Sequence, residues 1–362
     1  MIDHHRRDAL RKALALATLA TVPGVGAAMV RPPREQHDAW SQFEHFDGLT
    51  LGRMVRDAEV HPRELLEAVA LRVERLEPTI NAFSQLYWDL AEQQIAAGVD
   101  HGPFAGVPYP IKDLGVHMAG RPTLSGSRLF ADHVAEEDST LVARYRAAGL
   151  VLFARSTTPE FGLTGTTESV AHGDTRNPWN IGLIAGGSSG GAGAAVAARM
   201  VPMAHATDGA GSIRTPASCC GVFGLKPSRG RVPMGPHRSE GWQGLSTGHA
   251  ITVSVRDSAA LLDISAGPEP GSPYVAPAPA RPWLAETHRP PGRLRIALAA
   301  TPPGGAPVHP ECTAAVMDAA QLCESLGHEI TPVRLPVDAE AMSDALLAVI
   351  AVETRKTLED RA

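Results

Sequence analysis

An α/β fold, in which a sheet carries helices on both faces, is the architecture this sequence predicts, and three observations point to it. "DSTLVARYRAAG" reads as a helix and "LVLFARS" directly after it as a buried strand. Near the end, "RLRIALAAT", "HPECTAAVMDAAQLCESLGH" and "EITPVRLP" read as strand, helix and strand, with Gly327 closing the helix. The composition, 44% hydrophobic and 20% charged over 362 residues, provides for a large core. Alternation of this kind places helices on both sides of a sheet.

Taken in order, the elements begin with a leader. In "HHRRDALRKALALATLATVPGVGAAM", Arg6, Arg7, Arg11 and Lys12 precede an uncharged apolar run and then the small residues Val25, Gly26 and Ala27. This is an export pattern, and Arg6-Arg7 resembles a twin-arginine signal, so residues 1–28 are expected to be a signal that directs an exported or periplasmic protein. The alternative is a basic amphipathic helix on a cytoplasmic protein. Pro23 and Gly24 leave the run too short to span a bilayer, so no stable membrane insertion is expected. "HPRELLEAVALRVERLEP" predicts a helix with Pro62 near its start, an apolar stripe at Leu65, Val69 and Val73, and Pro78 just past its end. Asp138 and Ser139 are the expected caps of the next helix and Gly149 its terminator. The proline-rich stretch over about 266–292 is expected to cross the surface without regular structure.

Composition also excludes functions. A net charge of −6 gives no basic footprint for nucleic acid. Cys219, Cys220, Cys312 and Cys323 show no C-x-x-C spacing, and buried reduced thiols are expected. No histidine or carboxylate cluster has metal-site spacing, and His4 and His5 belong to the basic leader.

Chemistry concentrates around "AGGSSGGAGAAVA", residues 185–197. A P-loop fails here because Ala192 stands where its lysine belongs. Gly186 to Gly190 also satisfies G-x-S-x-G, but that elbow needs a later acid and histidine, and no later histidine stands out, His205 included. A plain linker does not run directly into an alanine-rich helix. Upstream, "FAGVPYPIKDL" delivers Lys112 at the end of an apolar run, where burial disfavours its charged form. Downstream, Gly209, Ala210 and Gly211 lead into Ser212, so that successive main-chain N–H groups converge beside a hydroxyl, as an oxyanion hole requires. Singly, each residue has an ordinary reading: Lys112 with Asp113 as a surface ion pair, Ser212 as a helix cap, Ser188 as a turn residue, Cys219 and Cys220 as packing.

The words "GPFAGVPYPIKDL", "STTPEFGLTGTTES", "TRNPWN", "GGSSGG", "TDGAGSIRTPASCCGVFGLKPSRGRV" and "SVRDSAALLD" resemble, in the same order, those of the amidase signature family. Spacing agrees, with 76 residues from Lys112 to Ser188 and 24 from there to Ser212. The resemblance covers most of residues 49–335. It implies a large mixed sheet layered by helices over residues 29–362, no cofactor, and a serine, serine and lysine triad. Ser212 is then the nucleophile, Ser188 the bridging serine after a cis bond from Gly187, and Lys112 the base. The implied oxyanion donors are the N–H groups of Gly209, Ala210, Gly211 and Ser212, with Ser189, Asp208 and Arg214 bracing the loops.

The resemblance also implies hydrolysis of a small linear or cyclic non-peptide amide through an acyl-enzyme, with that amide as partner and a homodimer as the assembly to test. Ala210 replaces a glycine that many members have, and "HPECTAAV" and "ESLGHEI" resemble the branch that opens ω-amino acid amides. Family chains usually run on past "LAVIAVETRKTLEDRA", so truncation is expected. The rival readings are a non-catalytic remnant that needs a partner, and a glutaminase-type amidotransferase subunit.

Overall fold

The alternation of helix and strand begins at Gly48 in the computed structural model, which describes residues 43–99 and 101–361. The expected leader, 1–28, lies outside the described residues. Two compact units divide at Thr287 and His288, inside the proline-rich stretch.

In the first unit, α1 (Gly48–Arg56) is capped by Asp47, whose side chain accepts the Thr50 N–H. Its first two N–H groups, of Gly48 and Leu49, donate to the Asp257 carboxylate at 2.8 and 2.9 Å. Orphan donors at a helix start are thus met from far along the chain. Helix α2 (Pro62–Ile80) buries Leu65, Val69 and Val73, the predicted stripe. It does not stop before Pro78 but runs through it to Ile80. The proline is exposed and lies in the last turn, so only one hydrogen bond, to the carbonyl of the exposed Glu74, is forgone. Strand β1 (Phe83–Leu86), helix α3 (Trp88–Ala97), β2 (Pro108–Lys112), α4 (Thr140–Ala147) and β3 (Val151–Ser156) follow. Ser139 precedes α4 without capping it; its hydroxyl instead accepts from His117 N–H at 2.8 Å.

Next come two hairpins, β4 (Glu168–Ser169) with β5 (Gly173–Asp174), and β6 (Arg176–Asn177) with β7 (Asn180–Ile184). Then follow α5 (Gly190–Ala197), β8 (Met203–Asp208), α6 (Arg214–Cys220), β9 (Phe223–Gly224), β10 (Thr247–Thr252) and α7 (Val255–Ser265). A single helical turn, α8 (Trp283–Glu286), interrupts the stretch expected to lack regular structure, because Asp263 accepts the Trp283 and Leu284 N–H groups at 2.7 and 3.0 Å.

The mixed sheet is made of small ladders. One has the order β1-β3-β2, with β1 antiparallel and β2 parallel to β3; the other, β8-β10-β9, is antiparallel throughout. Strand β2 lies alongside β8, which brings the two ladders together without a shared row of main-chain bonds. All residues of β2, β3, β8 and β10 are buried, as expected of strands covered on both faces. Two apolar clusters flank them, one around α5, Phe153 and Ile251, the other around Tyr109, Tyr145 and Leu261.

In the second unit β11 (Arg295–Leu298) and β12 (Glu329–Pro332) pair in parallel. Helix α9 (Pro310–Ser325) connects them, and α10 (Ala339–Glu359) follows. No described residue after Thr287 is buried. All four cysteines are free, but the expectation of burial holds fully only for Cys220, because Cys312 is exposed on α9.

Candidate active site

Two strand ends and one glycine loop build the site. Strand β2 ends on Lys112, fully buried because the rest of the strand, "PYPI", is itself core. Alternation along the chain sends Asp113 the other way. There its carboxylate accepts from Leu124 N–H at 2.9 Å and from the Ser84 hydroxyl at 3.1 Å, and burial raises it to about 6. The two residues therefore do not form a surface ion pair.

The loop 185–189 carries Ser188 after a cis Gly187–Ser188 bond. A Cβ at Gly187 would lie 2.4 Å from the Thr166 carbonyl oxygen, so only glycine fits. Gly162 closes the other side: a Cβ there would meet the Ser188 hydroxyl at 3.1 Å and Leu114 at 2.6 Å. The Lys112 Nζ donates to Ser188 Oγ at 2.7 Å and to Thr207 Oγ1 at 3.0 Å. Loss of hydration pushes the Lys112 ammonium down to about 7, against the upward pull of the Asp208 charge, so both protonation states are populated near neutrality.

From β8, Asp208 organises the loop after it. Its Oδ1 accepts the Gly211 N–H at 2.7 Å, and its Oδ2 accepts those of Ile213 at 3.1 Å and Arg214 at 3.4 Å. The Arg214 guanidinium adds two bonds, each 2.9 Å. Burial would raise the Asp208 carboxyl, but these donors hold it below its ordinary value. One consequence corrects the sequence reading: the Gly211 N–H is committed to Asp208 and is not open to a substrate oxygen. The N–H groups of Gly209, Ala210 and Ser212 have no hydrogen-bond partner among the described residues.

Ser212 is half-buried, and its hydroxyl makes no hydrogen bond to any described residue. Its carbonyl accepts the Ser189 N–H at 3.2 Å, which ties the 209–212 loop to the residue after Ser188. Ser189 also bridges to β8, with its hydroxyl donating to the Thr207 carbonyl at 3.2 Å. His205 turns its Nδ1 to the Lys112 main-chain N–H at 3.3 Å, and burial keeps its ring neutral. It does not face Ser212 as a partner base. Among the described residues no group of three histidine, cysteine or acidic side chains is placed to hold a metal ion.

Lys112, Ser188, Ser189, Asp208, Arg214 and the 209–212 loop therefore meet in one place. Sequence reading missed Thr207, Gly162 and Trp242, whose ring lies against Gly209. Only Thr207 had a local cue, its place before Asp208 at the end of a strand.

The family model for Amidase matches residues 64–362. The 6-aminohexanoate-cyclic-dimer hydrolase of Paenarthrobacter ureafaciens is 43% identical over 289 residues, 78% of this chain and 58% of that protein. An acylamidase of Rhodococcus erythropolis is 39% identical over 284 residues, 76% of this chain and 59% of that protein. The chain thus spans somewhat under three fifths of the length of these relatives. Among solved structures, 6-aminohexanoate cyclic dimer hydrolase complexed with substrate superposes with a TM-score of 0.77 at 42% identity, covering 82% of this chain and 61% of that one. A bacterial aryl acylamidase gives a TM-score of 0.81 at 30% identity, covering 87% and 66%. With the matched residues running from within α2 through α10 and the same fold found in these enzymes, the chain belongs to the amidase signature family.

Proposed function

We propose that this chain hydrolyses a small linear or cyclic carboxylic amide through an acyl-enzyme on Ser212. The observation that carries the reading is the 2.7 Å contact between a wholly buried Lys112 Nζ and Ser188 Oγ. A serine hydroxyl attacks poorly unless a base takes its proton. Neutral Lys112 draws the Ser188 proton while Ser188 takes that of Ser212, and Ser212 Oγ bonds to the amide carbon. Thr207 holds the amine in place from its other side.

As the carbonyl oxygen gains charge, the N–H groups of Gly209, Ala210 and Ser212 receive it. Each such donor is worth about 3–4 kcal/mol. The proton taken up by Lys112 returns through Ser188 to the leaving amine, the C–N bond breaks, and water cleaves the ester by the same relay. Asp208, neutralised by Arg214, keeps Gly211 and Ile213 fixed and so aims the loop. The names of the relatives, a cyclic-dimer hydrolase and an acylamidase, support an amide that is not a peptide.

Purified wild type and Ser212→Ala, tested on primary, anilide and cyclic amides and with a fluorophosphonate label, decide the reading. Ser212-dependent turnover and labelling support it; turnover unchanged in Ser212→Ala overturns it. A second reading, a remnant that needs a partner, is favoured by the absence of any buried residue after Thr287 among the described residues. Failure of the chain alone to unfold cooperatively or take the label would favour that reading.

A further inference from the structure

We propose that Trp242 is a positioning residue for the main-chain donors of Gly209 and Ala210. The proposal rests on the amide-hydrolase reading of the same site. The Asp208 carboxylate fixes the far end of the loop, at Gly211 and Ile213, and leaves the near end untouched. Neither the N–H nor the carbonyl of Gly209 or Ala210 makes a main-chain hydrogen bond among the described residues. Donors that serve an oxyanion must nevertheless be aimed before charge develops.

What lies against that free end is an indole. A Cβ built on Gly209 would meet Trp242 Cε3 at 2.7 Å and Cζ3 at 2.8 Å, so the ring occupies the space a side chain would take. The placement is enforced. Trp242, Gln243 and Gly244 have φ of 51, 53 and 76°, three left-handed residues in succession, a conformation that bulky side chains avoid unless surroundings impose it. Leu245 N–H donates to the Trp242 carbonyl at 3.0 Å and Ser246 N–H to that of Gly241 at 3.1 Å, closing the turn. Arg229 Nε grips the Gly244 carbonyl at 3.0 Å. Directly after the turn, Thr247 begins β10 opposite Asp208, the last residue of β8. The indole and the donor loop thus spring from facing residues of adjacent strands, and the Gly209 position holds a glycine because the ring presses on it.

Kinetics and a double-mutant cycle on the full chain test this, with fluorophosphonate labelling of Ser212 and thermal unfolding measured for each variant. Trp242→Ala should slow labelling and lower kcat by about 100-fold while KM moves by less than about threefold, and Trp242→Phe should recover most of the loss. Gly209→Ala, which drives a methyl into the ring, should be equally impaired. Adding Trp242→Ala to it should cost little more, leaving the double variant about 100-fold below wild type and not the roughly 10⁴-fold that independent sites would give.

If Trp242→Ala labels at the wild-type rate, or the double variant falls by about the product of the two single losses, the positioning role is overturned while the hydrolase reading stands. Should wild type itself show no Ser212-dependent labelling, the hydrolase reading falls and takes this proposal with it. If Trp242→Ala does not fold, the cycle of Trp242→Leu with Gly209→Ala decides by the same criterion.

Discussion

Helices α5 and α9 exchange their strengths. Helix α9 has the marks of a helix that forms by itself: His309 accepting the Glu311 N–H, Pro310 in its first turn, and a run of alanines and long side chains. Yet none of its residues is buried. Helix α5, "GGAGAAVA", starts on three glycines in four residues, has no side-chain cap, and is among the poorest helix formers in the chain. It buries seven of its eight residues. Local preference makes α9, and packing makes α5. The same contrast separates the unit that ends at Thr287, with its two apolar clusters and the site, from the one that begins at His288, where helices and strands form without a core of their own.

Substitutions at the site should show the largest effects. If Ser212 and Lys112 act as proposed, Ser212→Ala and Lys112→Met should each lower kcat/KM on an amide by about 10³-fold or more, measured at equal folded protein. No substitution in α9 should change turnover comparably.

Next in size is the cost of displacing what packs α5. A Cβ at Gly191 would lie 2.4 Å from the Ala82 carbonyl oxygen and from the Thr157 nitrogen, both main-chain atoms that cannot move aside. Gly191→Ala, which elsewhere improves a helix, should destabilise the first unit by about 3 kcal/mol, read from denaturant midpoints. The mirror change on α9, Ala315→Gly, should cost only about 1 kcal/mol, the difference in intrinsic preference. Equal costs would dissolve the contrast.

Protonation sharpens it further. Because burial lowers Lys112 to about 7, kcat/KM should climb with pH and level off above that value. The sign of the stability effect comes from linkage. The unfolded chain, whose lysine has its ordinary value of 10.5, holds a proton that the folded chain has released between about 7 and that value. Stability should therefore rise with pH across this window, and the rise should vanish in Lys112→Met, as seen in unfolding midpoints taken at several pH values.

The smallest perturbation is chemical. An alkylating thiol reagent on native protein should modify Cys312, exposed on α9, well before Cys220, which is buried and whose thiol burial pushes up to about 12. Peptide mass mapping at short times gives the order.

Much of this was legible from residues alone, and the reasons differ by element. The stripe of α2, the buried run of β3 and the β11-α9-β12 succession were readable because period, glycine and proline act locally. Where a helix ends at a proline was not, since that depends on whether the lost bond falls at an exposed position, as it does at Glu74 and Pro78. Lys112, Ser188 and Ser212 stood out through their order and spacing in recognisable words. Thr207 and Trp242 did not, because their importance lies in what they touch across strands, and strand pairing is set by the whole sheet. The commitment of the Gly211 N–H to Asp208 was likewise invisible: four converging donors look alike in a sequence until one finds a nearer acceptor.

Asp257 joins the start of α1 to α7 across 209 residues. Every group of the site lies within the loop that this clasp closes. Loop-closure entropy grows only slowly with length, so the wide span costs little once the chain is whole. The clasp needs both ends: without α7 the first two amides of α1 lose their carboxylate acceptor. Lys112, Ser188 and Ser212 thus all lie inside a loop whose two ends this one carboxylate joins.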